Sequence, residues 1–402
     1  MISVDEALDR IFAQLDPPQA ETVPLLRAHK RVLARPLVAS HSQPPFDSSA
    51  MDGYAVRAAE VVPGRPLKLA GTSQAGARFA GMMEHGQCVR IFTGAPMPIG
   101  ADAVIMQEEA TAAGNQISFQ KTPRPGQSIR KQGHDFQRGQ ELLPAGVSLT
   151  PAMLNLAASA NQPTLTVTKR PRIAILATGD ELVAPGTVPG PDQIVASNSY
   201  GLIPLLTPYA ERVIDLGIVA DDKKALESAL LSAFDYGIDM LVTTGGASVG
   251  ERDYVREVLI DLGVTLDFWK LKMRPGKPLM FGTRASTLVF GLPGNPVSAL
   301  VTAMVILRPA LRQLTGHADP LWPQLGMPLA ADLPPNGPRR HYVRGQLGRN
   351  AVGFLEVTPI SETDSSHSSS LALADALIIQ PENDSGRRAG DMVDVIPLSM
   401  LG

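Results

Sequence analysis

Acidic side chains follow glycine-rich turns at several points of this chain, and that pairing is its first chemical signal. In "DMLVTTGGASVGERDYV" (239–255) an apolar run passes through Gly245, Gly246 and Gly250 into Glu251 and Asp253. Backbone N–H groups at a glycine turn that opens a helix converge on an anion, and the helix dipole favours negative charge there. A second turn, "GLPGNP" (291–296), sets Gly294 and Asn295 between Pro293 and Pro296 and so fixes a rigid loop. Glu181 in "ATGDEL", Asp221 in "VADD" and Asp253 in "GERDY" follow comparable apolar runs. Three acids facing two anion cradles repel the ligand unless a hard cation lies between them. Mg²⁺ resolves this, taking carboxylate on one side and phosphate oxygens on the other. The pattern therefore points to a phosphorylated ligand bridged by a divalent ion, with Glu181, Asp221 and Asp253 as its candidate metal ligands. The plainer reading of each turn is a tight connection needing glycine only for positive φ, and that of Asp180 is a helix cap.

Cations gather in "WKLKMRPGKPLMFG" (269–282), which holds Lys270, Lys272, Arg274 and Lys277. The stiff turn Arg274-Pro-Gly-Lys277 presents two cations able to hold an oxyanion, arginine adding forked donors. Arg344 in "YVRGQ" and the serine tract "DSSHSSS" (364–370) are candidates to complete the cage. Their ordinary readings are a solvated face and a loop. "GASVG" also fits the G-x-S-x-G elbow, with Ser248 as nucleophile. That alternative needs a base, and the later histidines are His317, His341 and His367, the last two in a separate β module. "QPPFDSSAMDGYAVR" (43–57) sets Asp47 and Asp52 around small residues, which by itself reads as a turn.

The elements that must position these residues follow from periodicity. Val4, Leu8, Ile11, Phe12 and Leu15 mark a one-faced helix ending before Pro17-Pro18. Residues 42 to 148 are short apolar stretches broken by glycine or proline, which predicts β structure, and "TPAMLNLAASANQ" (150–162) returns to helix. From 172 to about 316 strand, turn and helix alternate, predicting a parallel sheet covered by helices with its ligand sites outside the carboxyl ends of the strands. The remainder, with "RRHYVRGQL", "GFLEVTPI", "ALIIQP" and "DMVDVIPL", is spaced like strands of a small β module.

Composition bounds the function classes. With 402 residues, 44% hydrophobic and 19% charged, the chain reads as several globular domains. Cys88 stands alone, which excludes an internal disulfide and a cysteine-based zinc site. A net charge of −3 gives no global attraction for nucleic acid. The start has no signal-peptide pattern and no run approaches the roughly 20 apolar residues of a membrane span, so a soluble cytoplasmic protein without membrane or nucleic-acid partners is expected.

Taken together, "PPFDSSAMDGYAV", "TGAPMPIGADAVIMQEE", "ATGDEL", "TTGGASVGERDY", "MRPGKP" and "GLPGNPVSAL" resemble the molybdopterin molybdenumtransferases, the family that includes the E domain of gephyrin. The resemblance spans nearly the whole chain. It implies an α/β multidomain fold: a central molybdopterin-binding-type parallel-sheet α/β domain (169–318), an inserted β-rich module (42–134), a discontinuous α+β domain (1–41 with 135–168) and a C-terminal β barrel (319–402). It implies a homodimer whose "MDGYA" loop approaches the partner subunit's site, with a molybdopterin-adenylylating protein and downstream molybdoenzyme pathway proteins as partners. The implied reaction converts adenylylated molybdopterin and molybdate to molybdenum cofactor and AMP with Mg²⁺. Gly245, Gly246 and Gly294 would then receive the pterin phosphate region, Glu181, Asp221 and Asp253 would organise Mg²⁺, and Arg274, Lys277, Arg344 and Ser365 would hold molybdate. Asp52, Thr93, Asp135, Lys270, Pro293 and Pro296 match further family site positions, and Ser248, Gly250 and Asn295 lie in the same loops. Arg274 stands where lysine is common, and "SSHSSS" departs from the family's usual glycine-containing segment. A non-catalytic scaffold of the gephyrin type is the alternative.

Overall fold

The computed structural model describes residues 1–246, 254–362 and 364–398. They form two compact units, one of Met1–Glu21 with Val167–Gly402 and one of Thr22–Thr166.

In the larger unit a six-stranded sheet runs in the order Arg212–Val219, Arg172–Thr178, Met240–Thr244, Thr287–Leu292, Pro278–Arg284, Thr265–Lys270. The first four strands are mutually parallel, and Pro278–Arg284 is antiparallel to both of its neighbours. Thr265–Lys270 therefore runs with the parallel set. The carboxyl ends at Thr178, Val219, Thr244, Leu292 and Lys270 share one edge, where Pro278–Arg284 begins. Side chains alternate between two cores, as the pleat requires. Ile173, Ile175, Met240 and Val242 pack with residues of helices Val4–Ala13 and Asn198–Leu206, whereas Ala174, Leu176 and Leu241 meet those of Lys223–Asp235 and Tyr254–Asp261. Burial on both faces explains why these strands read as continuous apolar runs. Each fully buried side chain such as Phe281 or Phe290 contributes about 1.5–3 kcal/mol.

The segment Pro296–Leu314 corrects one expectation, because by length and composition it is a helix apolar enough to cross a membrane. Yet 78% of that apolar stretch is buried, which makes it a core helix of this unit.

The C-terminal part of the same unit is a second six-stranded sheet, ordered Met273–Arg274, Arg340–Arg349, Ala376–Gln380, Met392–Pro397, Leu325–Pro328, with Leu355–Pro359 also paired to Arg340–Arg349. Ala330 N–H donates to the Val357 carbonyl at 2.9 Å. That bond joins the chain just past Leu325–Pro328 to Leu355–Pro359 and closes the sheet into the expected barrel.

The smaller unit carries a six-stranded sheet ordered Ala103–Met106, Gly53–Val56, Gln87–Ile91, Leu67–Ser73, Gln116–Phe119, Ala110–Ala113. Gly53 is required there by close approach: a Cβ would lie 1.9 Å from the Ile105 carbonyl oxygen. Part of the "MDGY" signal is thus structural. Helix Pro151–Ser159 is capped by Thr150, whose hydroxyl accepts from Met153 N–H at 3.3 Å.

Candidate functional site

At the shared edge of the α/β sheet the strand-end loops press against one another. A Cβ on Gly245 would fall 2.3 Å from the Thr178 carbonyl oxygen, and Gly245 has φ +86°, so only glycine serves. A Cβ on Gly294 would reach the Gly245 Cα at 3.9 Å. The three loops after Thr178, Thr244 and Leu292 therefore form one floor, in which Gly246 also has positive φ.

The acids border this floor. Asp221, just past the end of Arg212–Val219, accepts from the Thr178 hydroxyl at 2.5 Å, and its backbone N–H donates to Asp180 Oδ1 at 3.0 Å. Asp180 thus braces a strand-end loop, while the true cap of helix Lys223–Asp235 is Asp222, which accepts from Lys224 and Ala225 N–H. The Glu181 carboxylate folds back over Gly179, where a Cβ would meet it at 2.7 Å. Among the described residues no three acidic, imidazole or thiol side chains form a metal-holding cluster. Glu181 and Asp221 stand at adjacent strand ends, and their hard oxygen donors suit magnesium. The third predicted ligand, Asp253, lies outside the described residues, as do Ser248 and Gly250.

The cations come to the same edge by a hairpin. Lys270 pairs with Pro278, and Leu271 N–H donates to the Lys277 carbonyl at 2.9 Å, which puts Lys270 and Lys277 side by side where the loop 271–277 leaves and rejoins the hairpin. Between them the chain leaves the α/β sheet and adds Met273–Arg274 to the barrel strand Arg340–Arg349, with Arg274 opposite His341. Ile2 pins the exit, donating to the Lys270 carbonyl and accepting from Lys272 N–H at 3.2 and 2.8 Å. Asp5 holds the barrel side through a bidentate pair with Arg340 at 2.8 Å. Among the described residues no carboxylate pairs with Lys270 or Lys277.

Arg344, three residues beyond His341, is only 5% exposed and spends its guanidinium on the backbone carbonyls of Asp364, at 3.1 Å, and Glu362. Burial lowers its pKa, the nearby Glu362 and Asp364 oppose that, and Arg274 adds to it. With no carboxylate directly paired among the described residues, it keeps charge for an anion. The bonded loop carries Ser365, whose Oγ accepts from Asn295 Nδ2 at 2.8 Å and whose carbonyl accepts from Val297 N–H at 3.2 Å. Glu181, Asp221, Gly245, Gly246, Pro293, Gly294, Asn295, Pro296, Lys270, Arg274, Lys277, Arg344 and Ser365 all belong to this unit.

Asp52, Thr93 and Asp135 belong to the smaller unit. Asp52 accepts from both the backbone N–H and the hydroxyl of Thr93, at 2.7 and 2.9 Å, which hold its carboxyl below the usual range. Asp135 lines a cavity of about 570 Å³ with Arg130, His134, Ser48 and Gly94.

Known proteins share this architecture and sequence. Residues 2–161 match the MoeA N-terminal region (domain I and II), 174–313 a probable molybdopterin binding domain, and 327–398 the MoeA C-terminal region (domain IV). The molybdopterin molybdenumtransferase of Haemophilus influenzae is 35% identical, with 100% of each chain covered. The chain belongs to the molybdopterin molybdenumtransferase family. The enzyme of that name from Nostoc sp. is 36% identical over 99% of this chain and 94% of its own. The crystal structure of a molybdopterin biosynthesis protein from Pyrococcus horikosii superposes with a TM-score of 0.84 at 27% identity, covering 99% of each chain. Membership makes this protein an enzyme of the transferase class.

Sequence reasoning about this transferase missed three residues that shape the edge. Thr178 bonds Asp221 and carried no signal beyond ending an apolar run. Asn198, whose Nδ2 donates to the Gly294 carbonyl at 2.8 Å, was foreshadowed by "SNSYG" at a helix start. His341 was set aside with the barrel, yet the short strand Met273–Arg274 brings it beside the cation turn.

Proposed function

We propose that this transferase inserts molybdenum from molybdate into adenylylated molybdopterin, releasing AMP and yielding molybdenum cofactor. The observation that carries the reading is the meeting, at one sheet edge, of the glycine floor, two carboxylates and two lysines that pair with no carboxylate among the described residues. The loops at Gly245, Gly246 and Gly294 present backbone N–H groups to the pterin phosphate region. Glu181, Asp221 and Asp253 would hold Mg²⁺, which when bound supplies positive charge against the diphosphate. Arg274, Lys277, Arg344 and Ser365 receive molybdate, a tetrahedral dianion suited to cationic and hydroxyl donors. Lys270, at the position of a family site lysine, adds positive charge at the same sheet edge, so that stabilisation is mainly electrostatic. Asp52, Thr93 and Asp135 are assigned to the site of the partner subunit in a cytoplasmic homodimer. A scaffold would have no use for lysines that, among the described residues, pair with no carboxylate at this sheet edge.

Incubation with adenylylated molybdopterin, Mg²⁺ and molybdate, followed by analysis for AMP, tests the proposal. AMP formation that depends on molybdate is expected. Intact adenylylated molybdopterin after prolonged incubation, or AMP release indifferent to molybdate, overturns it.

A further inference from the structure

Asn295 occupies the position before the first residue of helix Pro296–Thr302, where an asparagine normally folds back to accept from its own helix's N–H groups. Here its side chain makes no capping bond. Nδ2 reaches instead to Ser365 Oγ at 2.8 Å, a contact spanning 70 residues of sequence. The helix N–H of Val297 is satisfied from the same distant segment, by the Ser365 carbonyl at 3.2 Å. Ser365 is thus held twice, while its neighbour Asp364 is held by Arg344.

Resting on the molybdate placement proposed above, we infer that Asn295 is a positioning residue that turns Ser365 into a hydrogen-bond donor toward the oxyanion. A serine hydroxyl has one proton and two acceptor sites. The Asn295 amide N–H occupies one acceptor site, and no group among the described residues takes the proton. The proton is free to point to a ligand, and the half-buried hydroxyl belongs to the residue that follows Asp364, whose carbonyl the buried Arg344 guanidinium holds. The opposite amide orientation would draw the hydroxyl proton onto Asn295 Oδ1 and turn oxygen lone pairs toward a dianion, which the charge of molybdate disfavours. Asn295 also follows Gly294, whose carbonyl is tied to Asn198. The loop that borders the pterin-phosphate floor thereby fixes the donor that faces molybdate.

The test measures molybdate binding by equilibrium dialysis alongside the molybdate concentration for half-maximal AMP release. Ser365→Ala should weaken both about tenfold, the scale of one hydrogen bond to a charged group. Asn295→Ala should weaken both several-fold, and Asn295→Asp, which keeps the shape but replaces the amide donor by an acceptor charge, should weaken them more. Ser365→Ala with Asn295→Ala should be no worse than Ser365→Ala alone, because Asn295 acts through that hydroxyl. Half-saturating molybdate should rise more than the saturated rate falls, a split that general loosening of the loop does not give. If Ser365→Ala leaves molybdate binding unchanged, the molybdate placement fails and the inference with it. If Ser365→Ala weakens binding but both Asn295 variants bind normally, or the effects of the two alanines multiply, the placement stands and the inference is overturned. Because the amide caps no helix bond, melting temperatures should stay near that of the parent. Should Asn295→Ala fail to fold, dialysis of the isosteric Asn295→Asp decides between the same two outcomes.

Discussion

Thr178 Oγ1 donates to Asp221 Oδ1 at 2.5 Å across two neighbouring parallel strands. One carboxylate oxygen is committed to the protein, and the carboxylate is held at the sheet edge beside the loop that carries Glu181. In the proposed Mg²⁺ site, a group that orients a ligand carboxylate is worth about tenfold to a hundredfold in metal affinity. Thr178→Val is therefore expected to raise the Mg²⁺ concentration for half-maximal AMP release by about tenfold to a hundredfold, with Thr178→Ser restoring most of it. Asp221→Asn should do worse than either. An unchanged Mg²⁺ titration in Thr178→Val would remove Asp221 from the metal site.

Gly276 sits between the two cations of the turn with φ +104°, and a Cβ there would lie 2.2 Å from Thr302 Oγ1. That hydroxyl is buried without a partner among the described residues, on the core helix beneath the turn. Gly276→Ala should destabilise the protein by about 1–3 kcal/mol in calorimetry and raise half-saturating molybdate, since Arg274 and Lys277 move apart. Adding Thr302→Ala should recover part of the loss by removing the collision while leaving the φ strain. A double variant no better than the single one would show that overlap with Thr302 is not the constraint.

Cys88 lies in one of the two central strands of the smaller unit's sheet and is fully buried, and burial pushes its thiol up to about 12. Iodoacetamide at mildly alkaline pH should leave it unmodified in the native protein and label it in denaturant. Labelling of native protein would show that this sheet opens.

How much of this was legible in the sequence divides along physical lines. The parallel strands announced themselves because burial on both faces demands unbroken apolar runs, as in "RIAILAT", and the glycine turns because Gly245 has no room for a Cβ. The cation segment was legible as charge but not as geometry. Nothing local in "KMRPGK" says that Arg274 leaves one sheet to pair with His341 in another, since that register is set by a strand some 70 residues away. Asp180 reads as a helix cap from sequence for a similar reason: its bond partner, the Asp221 N–H, belongs to the neighbouring strand's loop. The stretch of apolar residues in Pro296–Leu314 does not stand out because Pro309 and Arg308 interrupt it, yet Arg308 is buried against Trp322 in the fold.

His341 connects the cation turn to pH. It is 8% exposed, and its pKa falls to about 4, first through burial and then through Arg274, Arg344 and Arg339, with a hydrogen bond to Gln380 opposing them weakly. Its pKa in the unfolded chain is the ordinary 6.5, so between these values the unfolded state binds more protons than the native one. The neutral imidazole's contribution is therefore complete above the unfolded value and is lost as pH falls toward about 4. The loss over that window is at most roughly 3 kcal/mol. His317 titrates in the same window, its pKa also lowered to about 4 by burial and by Arg312, so the parent's stability carries both contributions. His341→Gln keeps a hydrogen-bonding group and cannot charge. Urea unfolding at a series of pH values should show His341→Gln losing less stability than the parent between neutral pH and about pH 4.5, with the two curves parallel above about pH 7. Parallel curves throughout the acid range would mean that His341 is protonated in the native state, and that the Arg274–Arg344 cluster does not exclude a third positive charge.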